Sequence, residues 1–262
     1  MSIDVNPDWW KRIFDDIYLL TDARSVCDDF LTGREVDLIL EMLPIQTQHR
    51  ILDLCGGHGR HSLELCERGV SACTLADFSE ALTGCAKTEA DLREYPVKII
   101  RCDARCTGLS SGSFNHVLIM GNSLGYIQLP DADSQILIEA HRVLKPGGWL
   151  LVDVTNGAAV KGSFVNRSWH EIEDDTVVCR YRELHEDRVD AREMVLSKKK
   201  GLVRDETYSI RLYDIQTFPE LIRKTGFHNV EVKTDFSPHG KAGDYGFMNH
   251  RMVATAQKPF KR

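Results

Sequence analysis

Two aspartates stand at the ends of neighbouring apolar runs, with a glycine-rich turn between them. Asp53 lies near the end of the run Ile51–Leu54, which leads into Cys55–Gly–Gly–His–Gly59. Asp77 closes the next run, Cys73–Ala76. Glycine has no Cβ to hold a ligand away from the backbone. A helix starting behind such a turn aims free N–H groups at the same spot. Carboxylates beside it can accept charge-assisted hydrogen bonds, so the arrangement suits a nucleoside with free ribose hydroxyls. Asp103 and Asn122 stand in the same way after the runs 97–101 and 114–120. His58 and His61 lie in and just after the turn, with no third ligand nearby to complete a metal site. No metal is expected, and His61 reads as a packed or hydrogen-bonded helix residue.

Alternating strands and helices must position these groups. Strands are expected at 50–54, 72–76, 97–101, 114–120 and 149–154, with helices behind the turn, at 79–94 and at 131–144. Such alternation implies a parallel sheet with right-handed crossovers. Ligands of open sheets of this kind sit beyond the carboxyl ends of the strands, where the four polar residues fall. Upstream, Trp10, Ile13, Phe14, Ile17 and Tyr18 have helical spacing over 7–20. They predict a helix packed on the domain, or a lid that brings Trp10 and Tyr18 over the site. A second amphipathic helix is expected at 34–43, ended by Pro44. Lys145–Pro–Gly–Gly148 reads as a turn. Thr217–Phe–Pro–Glu220 reads as an N-cap, an early proline and a capping-box acid, opening a helix that closes at Gly226. Strands near 227–236 and 250–257 follow, separated by a glycine-rich loop at 239–246. Between these parts, 160–213 reads as an insertion of three or four antiparallel strands, with turns near 185–187 and 200–201.

The 262 residues suit one large α/β domain, or one domain with an inserted piece. A net charge of −6 argues against a broad electrostatic grip on nucleic acid. The insertion carries 11 basic and 11 acidic residues, so Lys198–Lys200 reads as a solvated hairpin tip. No apolar run is long enough to span a bilayer, and Met1–Trp10 lacks signal-peptide architecture. Eight scattered cysteines read as reduced thiols, and a cytoplasmic protein is expected.

The glycine turn resembles motif I of class I S-adenosylmethionine (SAM)-dependent methyltransferases, acid–x–Gly–x–Gly–x–Gly. Asp53, Gly57 and Gly59 fit it, while Cys55 replaces the first glycine. The helix and two closing strands after strand five resemble the end of the methyltransferase sheet. The loop Gly121–Asn–Ser–Leu–Gly–Tyr126, with Asn166–Trp169 and Ser209–Tyr213, resembles segments of a bacterial small-molecule methyltransferase group. The resemblance implies a Rossmann-like seven-stranded sheet, mostly parallel with one antiparallel strand, and a small antiparallel β insertion after strand five. It implies an N-terminal helical cap (1–45), a SAM-binding domain (46–159 and 214–262) and an insertion (160–213) that caps the acceptor or forms a homodimer contact.

SAM is the implied cofactor, with Asp53, Cys55, Gly57 and Gly59 around the turn. Asp77 would hold the ribose, Phe78 the adenine ring, Asp103 and Ala104 the adenine edge, and Met120 and Asn122 the methionyl part. Candidates for the acceptor side are Tyr18, Tyr126, Trp169, His170, Arg211, Tyr213 and His239, with no catalytic base assigned. The expected reaction is methyl transfer to a small molecule or short peptide, with amine nitrogen preferred to oxygen. RNA or protein methylation, a non-catalytic SAM-binding module and a nicotinamide dehydrogenase remain as rivals. The last is weakened because Gly57–His–Gly59–Arg–His–Ser62 lacks the third glycine of a dinucleotide fingerprint.

Overall fold

A computed structural model describes residues 2–22, 26–238 and 246–260. Five strands alternate with helices in the first two thirds of the chain. They are β1 (Arg50–Leu54), β2 (Ala72–Asp77), β3 (Lys98–Arg101), β4 (Phe114–Ile119) and β5 (Leu144–Thr155). The helices are α1 (Asp16–Thr21), α2 (Asp29–Met42), α3 (Arg60–Glu67), α4 (Glu80–Leu92) and α5 (Ala132–Val143), followed by the short α6 (Gly157–Gly162). Four strands form a separate sheet, β6 (Arg167–Ile172), β7 (Thr176–Leu184), β8 (Arg188–Ser197) and β9 (Gly201–Arg211). The chain closes through α7 (Thr217–Lys224), β10 (His228–Phe236) and β11 (Arg251–Gln257).

The large sheet has the order β10-β11-β5-β4-β1-β2-β3. β1 pairs in parallel with β2 and with β4, and β11 runs antiparallel to both β5 and β10. The chain winds outward from β1 to β3 and then returns beside β1, leaving a switch point between β1 and β4. Alternate strand residues serve opposite layers. Leu52, Leu54, Val117 and Ile119 join Ile136, Leu137, Phe218 and Ile222 of α5 and α7. Ile51, Leu118, Leu151 and Val253 join Val36, Ile39 and Leu65 of α2 and α3. No helix among the described residues is long and apolar enough to cross a membrane.

A charged network crosses the second layer. Arg251, with no exposed surface, pairs with Asp153 of β5 at 2.5 Å and with Glu35 of α2. Glu35 also meets Arg60, and it bonds His61 Nε2 at 2.8 Å, the role expected of His61. Burial pushes the Glu35 carboxyl up, but Arg251 and Arg60 hold it well below the usual carboxylate range. Asp153 accepts from the Asn122 amide at 3.4 Å, so the network reaches the strand ends.

Several local expectations need correction. Residues 7–20 do not form one helix: a 3₁₀ turn, Trp9–Lys11, is separated from α1 by extended Asp15. The Asp15 side chain accepts from the Ile17 and Tyr18 amides at 2.9 and 3.1 Å. An aspartate inside an apolar helical pattern competes with the backbone and restarts the helix as a cap. α2 starts earlier than expected, capped by Asp28, whose carboxylate accepts from Leu31 N at 3.0 Å. Thr217 does not cap α7 with its side chain. Asp214 takes that part, accepting from the Gln216 and Thr217 amides at 2.8 and 2.7 Å. Lys145–Gly148 lies within β5, where a register shift between Phe114 and His116 absorbs the extra residues.

The N-terminal strip lies along the small sheet and is fastened by polar contacts. Ile3 N donates to Glu183 at 2.9 Å, and Thr207 Oγ1 to the Asp4 carbonyl at 3.0 Å. Arg12 faces Glu206 at 3.5 Å, Asp15 meets Arg204, and Asp22 meets Arg180 at 3.0 Å.

Candidate active site

A cavity of about 230 Å³ opens at the carboxyl ends of β1, β2 and β4 and is roofed by residues between 9 and 22, by Val26 and by the small sheet. Its floor begins at the glycine turn. Cys55, Gly57 and Gly59 have φ of 61°, 56° and 85°. Cys55 thus occupies a left-handed conformation that non-glycine residues rarely adopt. Burial, then Asp77, pushes its thiol well up, so it stays protonated. A Cβ at Gly56 would come within 2.8 Å of Asp53 Cγ, so the turn closes only over glycine there.

Asp77 is held by its neighbours from both sides. One carboxylate oxygen accepts from Gly57 N and the other from Ser79 N, each at 2.8 Å. Burial raises its pKa, while these amides pull it back. Ser79 caps α4, accepting from Leu82 N at 3.1 Å. Phe78 stands edge-on to Trp10, ring centroids 4.8 Å apart. The Asp103 carboxyl is held below its ordinary range chiefly by hydrogen bonds from Arg105. Asn122, at φ 61°, accepts from Thr155 N at 2.7 Å.

The cavity therefore gathers Cys55, Gly57, Asp77 and Phe78, together with Asp103, Ala104, Met120 and Asn122. Asp53 and Gly59 are not among its lining residues. Asp53, 1% exposed, turns into the layer behind the turn and accepts from Ser62 Oγ at 2.9 Å. A Cβ on Gly59 would meet Leu75 Cδ1 at 2.9 Å and Ala86 Cβ at 3.2 Å, so this glycine serves helix–sheet packing.

The other half of the cavity is aromatic and charged. Of the acceptor candidates, Tyr18 and Tyr126 line it, beside Trp9, Phe14 and Tyr208. Phe14 packs against Tyr18 and Tyr126 with centroids at 5.1 and 5.5 Å. Trp169 and His170 do not line it: both lie on β6, the edge of the small sheet, and Trp169 is 68% exposed. Arg211 and Tyr213 both bind Asp133, the tyrosine at 2.5 Å, on the wall of a separate depression. His239 lies outside the described residues. Sequence reasoning missed Trp9, Asp22, Arg180, Arg182, Glu193, Arg204 and Tyr208, which all reach this wall. Arg180 and Arg182 share a strand face with Val178, and that alternation was the available signal.

Burial pushes the hydroxyls of Tyr18, Tyr126 and Tyr208 up. Burial lowers His58 to about 4, so it is neutral at pH 7. No group of three or more His, Cys, Asp or Glu among the described residues is placed to hold a metal ion.

A doubly wound sheet with one reversed strand, carrying a glycine turn and a strand-end acid under a cavity, is the fold of solved SAM-dependent methyltransferases such as that from Clostridium acetobutylicum ATCC 824. Residues 51–148 match the family described as "Methyltransferase domain". The Bacillus subtilis (strain 168) protein YqeM is 27% identical across 81% of this chain and 88% of its own. The CcbJ methyltransferase from Streptomyces caelestis has a TM-score of 0.73 at 19% identity, covering 97% of this chain and 99% of that one. A sugar N-methyltransferase from Streptoalloteichus sp ATCC 53650 has a TM-score of 0.67 at 17% identity, covering 99% and 97%.

Proposed function

We propose that this enzyme methylates an amine nitrogen of a small molecule held in the aromatic half of the cavity. The donor occupies the floor: Asp77 accepts from the ribose hydroxyls, Phe78 lies against the adenine and Asp103 with Ala104 meets its edge. Met120 and Asn122 flank the methionyl part. The floor fits such a ligand. A Cβ at Gly121 would find no atom within 4 Å, and that residue lines the cavity. Asp77 keeps lone pairs beyond the two its backbone partners use.

Bound SAM supplies a methyl group already activated on sulfonium sulfur. The chain's own residues then align the acceptor and exclude water, which can lower a barrier by about 7–11 kcal/mol. The observation that carries the choice of nitrogen is the state of the wall. Its tyrosines stay protonated, and one of its two histidines, His58, titrates far below neutrality. A hydroxyl acceptor needs a base poised near the working pH, and none of these groups is. A neutral amine attacks with its own lone pair and releases its proton afterwards, with the Asp22 carboxylate on the wall to receive it. The printed name of the Streptoalloteichus enzyme, a sugar N-methyltransferase, is consistent with this reading.

The test is methyl transfer from radiolabelled SAM to matched amine, alcohol and thiol panels, with products located by NMR. Labelled N-methyl products are expected. Transfer confined to oxygen, sulfur or carbon would refute the nitrogen assignment.

A further inference from the structure

The methionyl end of SAM carries a carboxylate, and the cavity floor is acidic, with Asp77 and Asp103 among its lining residues. A carboxylate is held in such a setting by a cation with donors to spare. Four arginines line the cavity, and three of them belong to the small sheet. Those three are engaged there: Arg180 by Asp22 and Glu193, Arg204 by Asp15 and Glu193, and Arg182 by the Val165 carbonyl at 3.4 Å. Arg60 stands on the other side, directly after Gly59 and first in α3.

The Arg60 side chain is 9% exposed, and Nη1 alone serves its partners. That nitrogen meets Glu35 and donates to Thr32 Oγ1 at 3.2 Å. Nε and Nη2 donate to no acceptor among the described residues, and neither is sealed off by protein. A planar guanidinium fixed at one nitrogen keeps its remaining edge for a two-point hold on a carboxylate. Its neighbours place that edge near the methionyl end. The Arg60 charge is felt by His58 in the glycine turn and by the Tyr18 hydroxyl. Tyr18 and Tyr126 flank Phe14 at 5.1 and 5.5 Å, and Tyr126 sits by Asn122. Gly59 brings no side chain to cap α3, so the first-turn N–H groups beside Arg60 favour an anion too.

We propose that Arg60 binds the methionyl carboxylate of SAM through its Nε and Nη2, a role that rests on the donor lying along the floor. Glu35 and Thr32 position the guanidinium by holding Nη1. Fixing the far end of the methionyl chain sets where the sulfonium lies, so its methyl group faces the aromatic half. The same contact separates SAM from nucleosides that lack the amino acid.

The experiment is calorimetric binding of S-adenosylhomocysteine, its carboxamide analogue and 5′-methylthioadenosine. The carboxamide removes the charge with little change of shape, and methylthioadenosine lacks the amino acid altogether. Wild type is expected to hold S-adenosylhomocysteine about tenfold to 100-fold more tightly than the carboxamide, as the loss of a charge-assisted contact implies. Arg60→Met is expected to cut that preference to about threefold or less, and Arg60→Lys to keep part of it. Methylthioadenosine affinity stays as in wild type in both. Thr32→Val keeps the shape of the side chain and frees Nη1, so the preference should fall roughly threefold; it carries the test if Arg60→Met does not fold. Equal binding of S-adenosylhomocysteine and the carboxamide to wild type overturns the carboxylate seat, and methylthioadenosine binding leaves the floor reading intact. A full preference retained in Arg60→Met, or in Thr32→Val where that variant carries the test, overturns the seat as well. So does a loss of methylthioadenosine affinity in Arg60→Met as large as that of S-adenosylhomocysteine, which marks a structural role alone. Failure of all three ligands to bind wild type overturns the floor reading, and the seat with it.

Discussion

Replacing Asp77 by asparagine probes the cofactor half with little change of shape. In the folded chain one Asp77 oxygen takes Gly57 N–H and the other Ser79 N–H, both at 2.8 Å. The amide keeps one acceptor and turns an NH2 toward whichever backbone N–H the lost oxygen served. One ribose hydroxyl keeps a neutral acceptor, and the other loses a charged one. Hydrogen bonds to charged groups contribute about 1.5–3 kcal/mol each. The combined loss, from one ribose bond and the weakening of the second, is about 2–4 kcal/mol. At 1.4 kcal/mol per decade, SAM affinity falls roughly 30- to 1000-fold. S-adenosylhomocysteine shares the ribose and weakens by the same factor. Calorimetric titration of both ligands, with circular dichroism to verify folding, measures the effect. Wild-type affinity in a folded Asp77→Asn protein would refute the ribose assignment. Weakening of SAM alone would move the contact to the sulfonium.

Gly59→Ala forces a side chain into φ +85° and against Leu75 and Ala86. Left-handed strain plus overpacking predicts a loss of about 2–4 kcal/mol in urea unfolding. Glu35→Gln leaves Arg251 buried beside one carboxylate instead of two, and about 3–5 kcal/mol is expected to be lost at pH 7. The Glu35 carboxyl is held below its unfolded value of ~4.3. Its stabilisation is therefore complete above that value and disappears as pH falls through the lower folded one. The gap between wild type and Glu35→Gln should narrow on acidification, and a gap independent of pH would contradict this. Tyr18→Phe removes a buried hydroxyl from the acceptor half, so kcat for the acceptor should fall at least about tenfold while SAM affinity changes less than twofold.

The sheet and most of its ligand-facing rim were legible because strand ends, glycines and acids leave local signals. Asp77, Asp103 and Asn122 fall where apolar runs stop, and the cavity collects all three. Asp53 carries the same signal yet faces the other layer, since one strand position decides which way a side chain points. The acceptor wall was far less legible. Arg180, Glu193 and Arg204 sit on strands that read as amphipathic, where charge ordinarily marks the solvent face. Here the charged face is the inner one, and it is balanced across strands: Arg180 stands opposite Glu193 in register. No single segment discloses such pairing. Trp169 misled for the converse reason, a large aromatic on an exposed edge strand. The N-terminal roof was predicted as one helix because its apolar spacing is regular, but Asp15 divides it.

That roof has a functional consequence. Residues 3–22 are moored to the small sheet by carboxylate–guanidinium contacts and a few hydrogen bonds, Arg12 to Glu206, Asp15 to Arg204 and Asp22 to Arg180 among them. The half-exposed moorings weaken as dissolved ions shield them, with a screening length near 8 Å at physiological salt. Passage of reactants and products beneath this flap should therefore quicken with ionic strength, and the interior is closed from water most tightly when the surrounding solution is dilute.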